Sequence, residues 1–186
     1  VEVHPEKPEL GKKTITFGKE IYVEKSDFMI EPVKKYFRLF PGNEVRLKGA
    51  YFITCNSYET DENGNVTALH CTYDPETKGG NAPDGRKVKG TIHWAGPKAF
   101  KAEVRLYDRL FNVEDPAGVP DDEFVNAINP ESLVVLKDCL IEEGLKDAKY
   151  LDSFQFMRNG YFCVDKDSTP ENPVFNRTVQ LNSSWK

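Results

Sequence analysis

No apolar run in this chain approaches the roughly 20 residues that an α-helix needs to cross a bilayer. The opening stretch Val1-Glu2-Val3-His4-Pro5-Glu6-Lys7-Pro8 lacks the charged-then-apolar layout of a secretion signal, and without a starting Met it reads as a piece of a longer protein. Cysteine is scarce: the four thiols at 55, 71, 139 and 163 are never at metal-ligand spacing, and the three histidines lie far apart. A zinc site and a disulfide framework are both excluded on that count. Cys55, Cys71 and Cys163 fall inside apolar strand patterns and are expected as buried free thiols, which implies a reducing, cytoplasmic compartment. The Asn-x-Ser/Thr triplets at Asn65, Asn176 and Asn182 then carry no glycosylation meaning. A glycine-rich phosphate loop is missing, since neither Asp84-Gly85-Arg86 nor Pro41-Gly42-Asn43 matches one. Ser168 and Ser183 lack the setting of a catalytic triad. The acids Asp115, Asp121, Asp122 and Glu123, and the pair Glu142-Glu143, sit in loops and read as solvated surface, not as a glycosidase pair.

Aromatics, by contrast, are plentiful, with 12 Phe, 8 Tyr and 2 Trp among 186 residues. That length suits one large domain or two small ones. The net charge of -5 argues against a nucleic-acid partner, but its distribution argues for one. Residues 34–48 carry five cations and one acid, and residues 84–101 the same, so each segment is +4 and the remainder of the chain holds -13. Local clusters shape the field near a surface more than the total does.

Short alternating segments follow one another along the chain. Residues 13–23 read as two short strands broken at Gly18, and Ser26 as the N-cap of a short helix over 26–37, with Pro32 shortening or bending it and Pro41-Gly42 ending it. Residues 44–58 alternate as one strand, Asn63-Gly64 turns the chain, and residues 66–73 return. Residues 86–94 and 101–107 are expected to pair through Gly96-Pro97, and 122–128 to form a helical turn. Residues 132–141 read as a kinked strand, 153–165 as a hairpin around Asn159-Gly160, and 174–181 as a last strand. Many short strands with little helix predict an all-β chain of barrels or a sandwich.

Three groups carry the chemistry. The first is Lys34, Lys35, Arg38, Arg46 and Lys48, interleaved with Tyr36, Phe37 and Phe40. The second is the strand from Arg86 to Trp94, where Lys87, Lys89 and His93 share one face and Arg86, Val88 and Ile92 the other. The third is the hairpin tip from Gln155 to Phe162. Single-stranded RNA is bound by stacking its bases and hydrogen-bonding their edges, which aromatic, arginine and glutamine side chains perform. The plain alternatives are core aromatics, lysines that blunt a sheet edge, and arginines spent in surface ion pairs.

The runs Asp84-Gly85-Arg86-Lys87-Val88-Lys89-Gly90 with Ile92-His93-Trp94, residues 104–111 (VRLYDRLF), Asn129-Pro130-Glu131-Ser132-Leu133, Phe154-Gln155-Phe156 with Gly160-Tyr161-Phe162, and residues 174–179 (VFNRTV) with Trp185 share one order. In them the chain, from about Lys7 to its end, closely resembles the C-terminal anticodon-binding region of bacterial glutaminyl-tRNA synthetases. The resemblance implies two β-barrels joined end to end, with short helices at the junctions. One is a continuous distal barrel over 36–112; the other is a discontinuous proximal barrel of 1–35 with 113–186, lacking its first strands. It implies a tRNA for glutamine as partner, with no DNA or membrane, and a monomeric parent enzyme. The catalytic domain that would use ATP and magnesium lies outside this chain, so the fragment needs no cofactor and does not aminoacylate alone.

Arg38, Arg46, Gln155 and Arg158 fall where this family contacts bases or backbone. Lys35, Lys48 and Ser184 stand where the family commonly has glutamine, arginine and threonine, and Asn182 where it has arginine. The physical chemistry of two of these fits independently. A guanidinium fork matches guanine, the third anticodon base of glutamine tRNAs, and a glutamine amide offers one donor and one acceptor to the middle uracil. Lys48 is a point charge and suits phosphate. The eukaryote-type glutamyl-tRNA synthetases share the architecture but must read a third-base cytosine, for which Arg38 is poorly suited. A barrel that binds proteins and not RNA, or a hydrolase built on the loop acids, are the readings from other classes.

Overall fold

The structure, a computed structural model, describes residues 1–3, 6–79 and 82–181. Its strands are β1 (Glu44–Leu47), β2 (Phe52–Thr60), β3 (Val66–Asp74), β4 (Thr91–Ile92), β5 (Phe100–Tyr107), β6 (Leu133–Ile141), β7 (Ser153–Phe156), β8 (Gly160–Val164) and β9 (Val174–Val179). Among the described residues there is no α-helix, only single 3-10 turns, so the chain is all-β. Among the described residues no helix is long and apolar enough to cross a membrane. The contacts divide it into two compact units, Val1–Lys98 and Ala99–Lys186.

In the first unit a four-stranded mixed sheet runs β3-β2-β1-β4, with β1 and β4 parallel. The long alternation of 44–58 is two strands, not one. Gly49 takes φ +71°, the Ala50 amide donates to Leu47 O at 3.0 Å, and the chain reverses there. Leu39, Val45, Leu47, Ile53, Ile92 and Trp94 form the core. Residues 13–23 do not pair as two strands; they lie across the sheet and contribute Ile15, Phe17, Ile21 and Val23 to that core. Phe17 is the hub, with ring centroids 4.9, 5.3 and 5.7 Å from Tyr51, Tyr73 and Trp94. Gly96 is pressed against this segment, where a Cβ would come within 2.1 Å of Thr16 O.

The expected helix over 26–37 is absent. A 3-10 turn covers Lys25–Asp27, and its N-cap position is held by Glu24 without a side-chain hydrogen bond, not by Ser26. The chain then extends so that Phe28 bridges Leu39 in parallel. Pro32 and the left-handed Lys35 (φ 68°) are incompatible with a helix through this stretch.

The second unit holds a five-stranded mixed sheet, β6-β5-β9-β8-β7, with β5 and β9 parallel. Ala102, Val104, Phe162, Val164 and Phe175 form its core, and Phe156 stacks on Phe162 at 4.3 Å. The kink expected in 132–141 is a bulge: Leu136 pairs with Val104 and Cys139 with Ala102, so that Lys137 and Asp138 (φ 59°) together stand opposite the single residue Glu103. The hairpin around Asn159-Gly160 is present, as is the turn at Phe124–Ala127. Arg105 ties β5 to the loop after β8, with Nε donating to Glu103 at 2.8 Å and Nη1 to Asp167 at 3.1 Å.

Residues 15–28 pack on the first sheet, because their apolar side chains cover Val45, Leu47 and Ile92. Residues 100–107 pair with β6 and β9 in the second sheet, not with 86–94.

Candidate nucleic-acid interface

The parallel pairing of β1 with β4 brings the two cationic segments side by side. The Arg46 amide donates to Gly90 O at 2.8 Å and the Lys48 amide to Ile92 O at 3.0 Å. Of the strand expected over 86–94, only Thr91–Ile92 is paired in a sheet, yet the alternation survives: Lys87 and Lys89 are exposed while Val88 is half-buried and Ile92 buried. The Lys89 ammonium lies 5.1 Å from the centre of the Phe37 ring, which joins the second cationic segment to the first. That contact requires glycine at 90, where a Cβ would stand 1.8 Å from Phe37 O.

Arg46 projects beside this ridge, its guanidinium 5.0 Å from the Phe52 ring centre. With Gly85, Arg86, Lys87 and Val88 it lines a shallow pocket of about 360 Å³. Arg86 reaches the same ring at 5.5 Å but is committed to structure. Its guanidinium binds Glu44 through Nε and Nη2, Asp84 through Nη1, and Asp74 through Nη2. These hydrogen bonds, the one to Glu44 foremost, raise the arginine pKa. The Arg86 side chain holds the Asp74 carboxyl below its usual range, and the Arg86 backbone N–H followed by its side chain does the same for Asp84. The clamp pins the 84–86 turn against β1 and β3, and its three carboxylates let two guanidiniums share one aromatic ring without net repulsion. Arg86, proposed from sequence as part of a cationic strand, is therefore a structural anchor, and the exposed charge belongs to Lys87 and Lys89.

Arg38 is half-buried and oriented. Its Nη1 donates to Ser26 O at 2.9 Å and its Nε stands 3.3 Å from Oδ1 of Asp27, which is 0% exposed. These contacts engage two of the five N–H donors of a guanidinium, leaving geometry for a base edge. Lys35 and Lys48 are exposed. In the sequence nothing sets Asp27 apart from Glu24 and Glu31 as a buried ion-pair partner; the return of the chain brings Arg38 and Leu39 beside it, with the Leu39 amide donating to Asp27 O at 2.9 Å.

In the second unit Gln155 lies on β7 with its side chain exposed, opposite Tyr161, which is likewise exposed. Phe154 and Phe156, its neighbours on the strand, point to the other face and into the core. Arg158 occupies the hairpin tip with φ 65°, followed by Gly160 at φ 134°, whose Cβ would stand 2.4 Å from Val179 O. Gln155 and Arg158 are thus presented by one rigid hairpin. Tyr161 joins them as a face-mate that the alternation of β8 could have revealed. Ser184, Asn182 and Trp185 lie outside the described residues. Among the described residues no group of three or more His, Cys, Asp or Glu is arranged to hold a metal. Of the cysteines, Cys55 is buried as expected, but Cys71 is exposed and Cys139 and Cys163 are intermediate.

Two sequence-family models, each described as "tRNA synthetases class I (E and Q), anti-codon binding domain", match residues 1–74 and 91–165. Among similar proteins is the "Glutamine--tRNA ligase" of Aliivibrio salmonicida, 54% identical over 185 residues, which are 98% of this chain and 33% of that protein. The protein of the same name from Clostridium perfringens is 53% identical over 188 residues, 100% of this chain and 34% of that protein. That of Bradyrhizobium diazoefficiens is 49% identical over 183 residues, 98% and 32%. The chain spans about a third of the length of these relatives.

Proposed function

We propose that this chain, which belongs to the anticodon-binding domains of the class I tRNA synthetases (E and Q), grips the anticodon of a glutamine tRNA for a glutamine–tRNA ligase. The observation that carries the reading is the ridge built by β1 and β4, where Lys87 and Lys89 stand beside Arg46 and Lys48 on a chain whose total charge is negative. Concentrating cations in this way neutralises phosphates locally while the acidic remainder disfavours other docking.

The roles divide by chemistry. Lys35, Lys48, Lys87 and Lys89 hold phosphates as point charges, with Arg46 at the rim of the pocket. Arg38 reads the third base, a guanine, with the donors that Ser26 and Asp27 leave over. Gln155 reads the middle uracil, and Arg158 and Ser184 complete the grip. Each unit is read as a β-barrel, its mixed sheet closed by the irregular segments that flank it. Ligation of glutamine, with ATP and magnesium, belongs to the portion of the parent enzyme outside these residues, which acts as a cytoplasmic monomer on tRNA and not on DNA. The glutamyl reading finds no support in Arg38, nor in relatives named for glutamine.

Titration with glutamine tRNA tests the reading. Contact with about four phosphates gives a slope near -3 for log K against log salt. A salt-independent affinity, or equal affinity for tRNAs with unrelated anticodons, refutes it.

A further inference from the structure

Cys55 and Cys71 are Cα partners across the antiparallel strands β2 and β3. The Cys55 amide donates to Asn43 O at 3.2 Å and its carbonyl accepts from the Gly42 N–H at 2.7 Å. Both backbone groups of Cys55 therefore point away from β3, and the two cysteines form a non-hydrogen-bonded pair. This is the closer kind of antiparallel pair, with Cα atoms about 4.5 Å apart and side chains on one face. A disulfide accepts Cα separations of about 4.4–6.8 Å. The Cys55 thiol donates to Ser57 O at 3.5 Å, and each thiol perturbs the other's titration, as neighbours on one face do. The register breaks immediately afterwards, between Cys55 and Ser57, so the bulge supplies the local freedom a bond-forming rotation needs.

We propose that Cys55 and Cys71 form a thiol oxidation site, closed to a cross-strand disulfide by a small disulfide oxidant such as glutathione disulfide. Cys71, on the exposed strand position, is the entry point, and buried Cys55 is the resolving thiol. The Cys71 thiolate attacks one sulfur of the oxidant, whose S–S bond breaks. One glutathione leaves and takes up the proton that Cys71 gave away. The Cys55 thiolate then attacks Cys71 Sγ, the mixed disulfide breaks, and the second glutathione leaves with the proton from Cys55. The protein loses two hydrogens with their electrons, and the oxidant becomes two molecules of glutathione.

The pair is quiet at neutral pH. Loss of water around the sulfur, chiefly, pushes the Cys71 thiol up to about 12 although the residue as a whole is exposed, and burial raises Cys55 as well. Because the thiolate is the nucleophile, closure should accelerate roughly tenfold per pH unit between about pH 7 and pH 9. The remaining thiols serve as internal controls, since Cys139 pairs with Ala102 and Cys163 with Ser153 and Asn176, none of them a cysteine.

The experiment incubates the folded chain with glutathione disulfide and follows it by intact mass and peptide mapping. The expected product has lost two hydrogens, about 2 Da, and links the peptides of Cys55 and Cys71. Cys71→Ser should abolish it, and Cys55→Ala should stop at a stable glutathione adduct on Cys71. A wild-type chain that accumulates the Cys71 adduct without closing, or that links these cysteines only after denaturation, overturns the proposal. So does persistence of both thiols at about pH 9 while Cys139 and Cys163 react.

Discussion

Arg38 makes two separable contributions, and replacing it exposes both. Its Nε stands 3.3 Å from the carboxylate of Asp27, which is fully buried, while the Arg38 side chain is 38% exposed. Removing one partner of a wholly buried pair costs about 3–5 kcal/mol. Solvent reaching Arg38 screens this pair, so the loss for Arg38→Ala falls to about 1–2 kcal/mol. The second contribution is to base reading. A forked contact to guanine discriminates by about 1–3 kcal/mol. Arg38→Ala should therefore lower both the denaturation midpoint and the preference for guanine at the third anticodon position. Arg38→Lys keeps the charge near Asp27 but loses the fork, so it should recover much of the stability and little of the discrimination.

Asp27→Asn separates the two effects. It removes the ionic partner while leaving the guanidinium in place, so it should lower stability and retain the preference for guanine. The assay is titration of wild type and the three variants against tRNAs differing only at the third anticodon base, beside urea denaturation of each protein. Equal losses for guanine and cytosine in both Arg38 variants would reduce the residue to a phosphate contact. Unchanged binding with lowered stability would leave it a structural ion pair, and either result refutes base reading by Arg38.

Four further outcomes are expected. Gly90→Ala should cost about 1–3 kcal/mol in urea denaturation, because its Cβ would stand 1.8 Å from a backbone oxygen of Phe37, and should weaken RNA binding by displacing Lys89. Gln155→Ala should relax the preference for uracil at the middle anticodon base by about 1 kcal/mol while leaving the salt slope of tRNA binding unchanged. Combining Lys87→Ala with Lys89→Ala should flatten that slope by roughly 1 to 1.5 and weaken all tRNA variants alike. Stability should fall on acidification below about pH 4: the carboxyls of Asp61, Asp74, Asp84 and Asp165 are held below their usual range, so their contribution is complete above that pH and is lost as they protonate, which thermal melts across pH 2–5 measure.

Hairpins and their turns were legible in the sequence because their signals are local. Asn63-Gly64 and Asn159-Gly160 each announce a reversal, and the alternation on either side sets the faces, so Gln155 could be placed opposite the core-facing Phe154 and Phe156. The bulge in β6 was legible for a similar reason, since Lys137-Asp138 interrupts an apolar run. What failed was long-range. Parallel pairing of β1 with β4, and of β5 with β9, joins segments dozens of residues apart and leaves no local mark. The alternation of 86–94 was real, yet it does not say that only two of those residues pair in a sheet, or that Arg86 would be taken by three carboxylates from 44, 74 and 84. Gly90 shows where the two levels meet. In the sequence it is one glycine between a lysine and a threonine; in the fold its missing Cβ lets Phe37 reach Lys89 and fuses two cationic segments into one surface. A count of charges along the chain finds both segments, but the pairing of β1 with β4 and the close approach at Gly90 are what bring them together, which is why substituting Gly90 tests the proposed site as well as the fold.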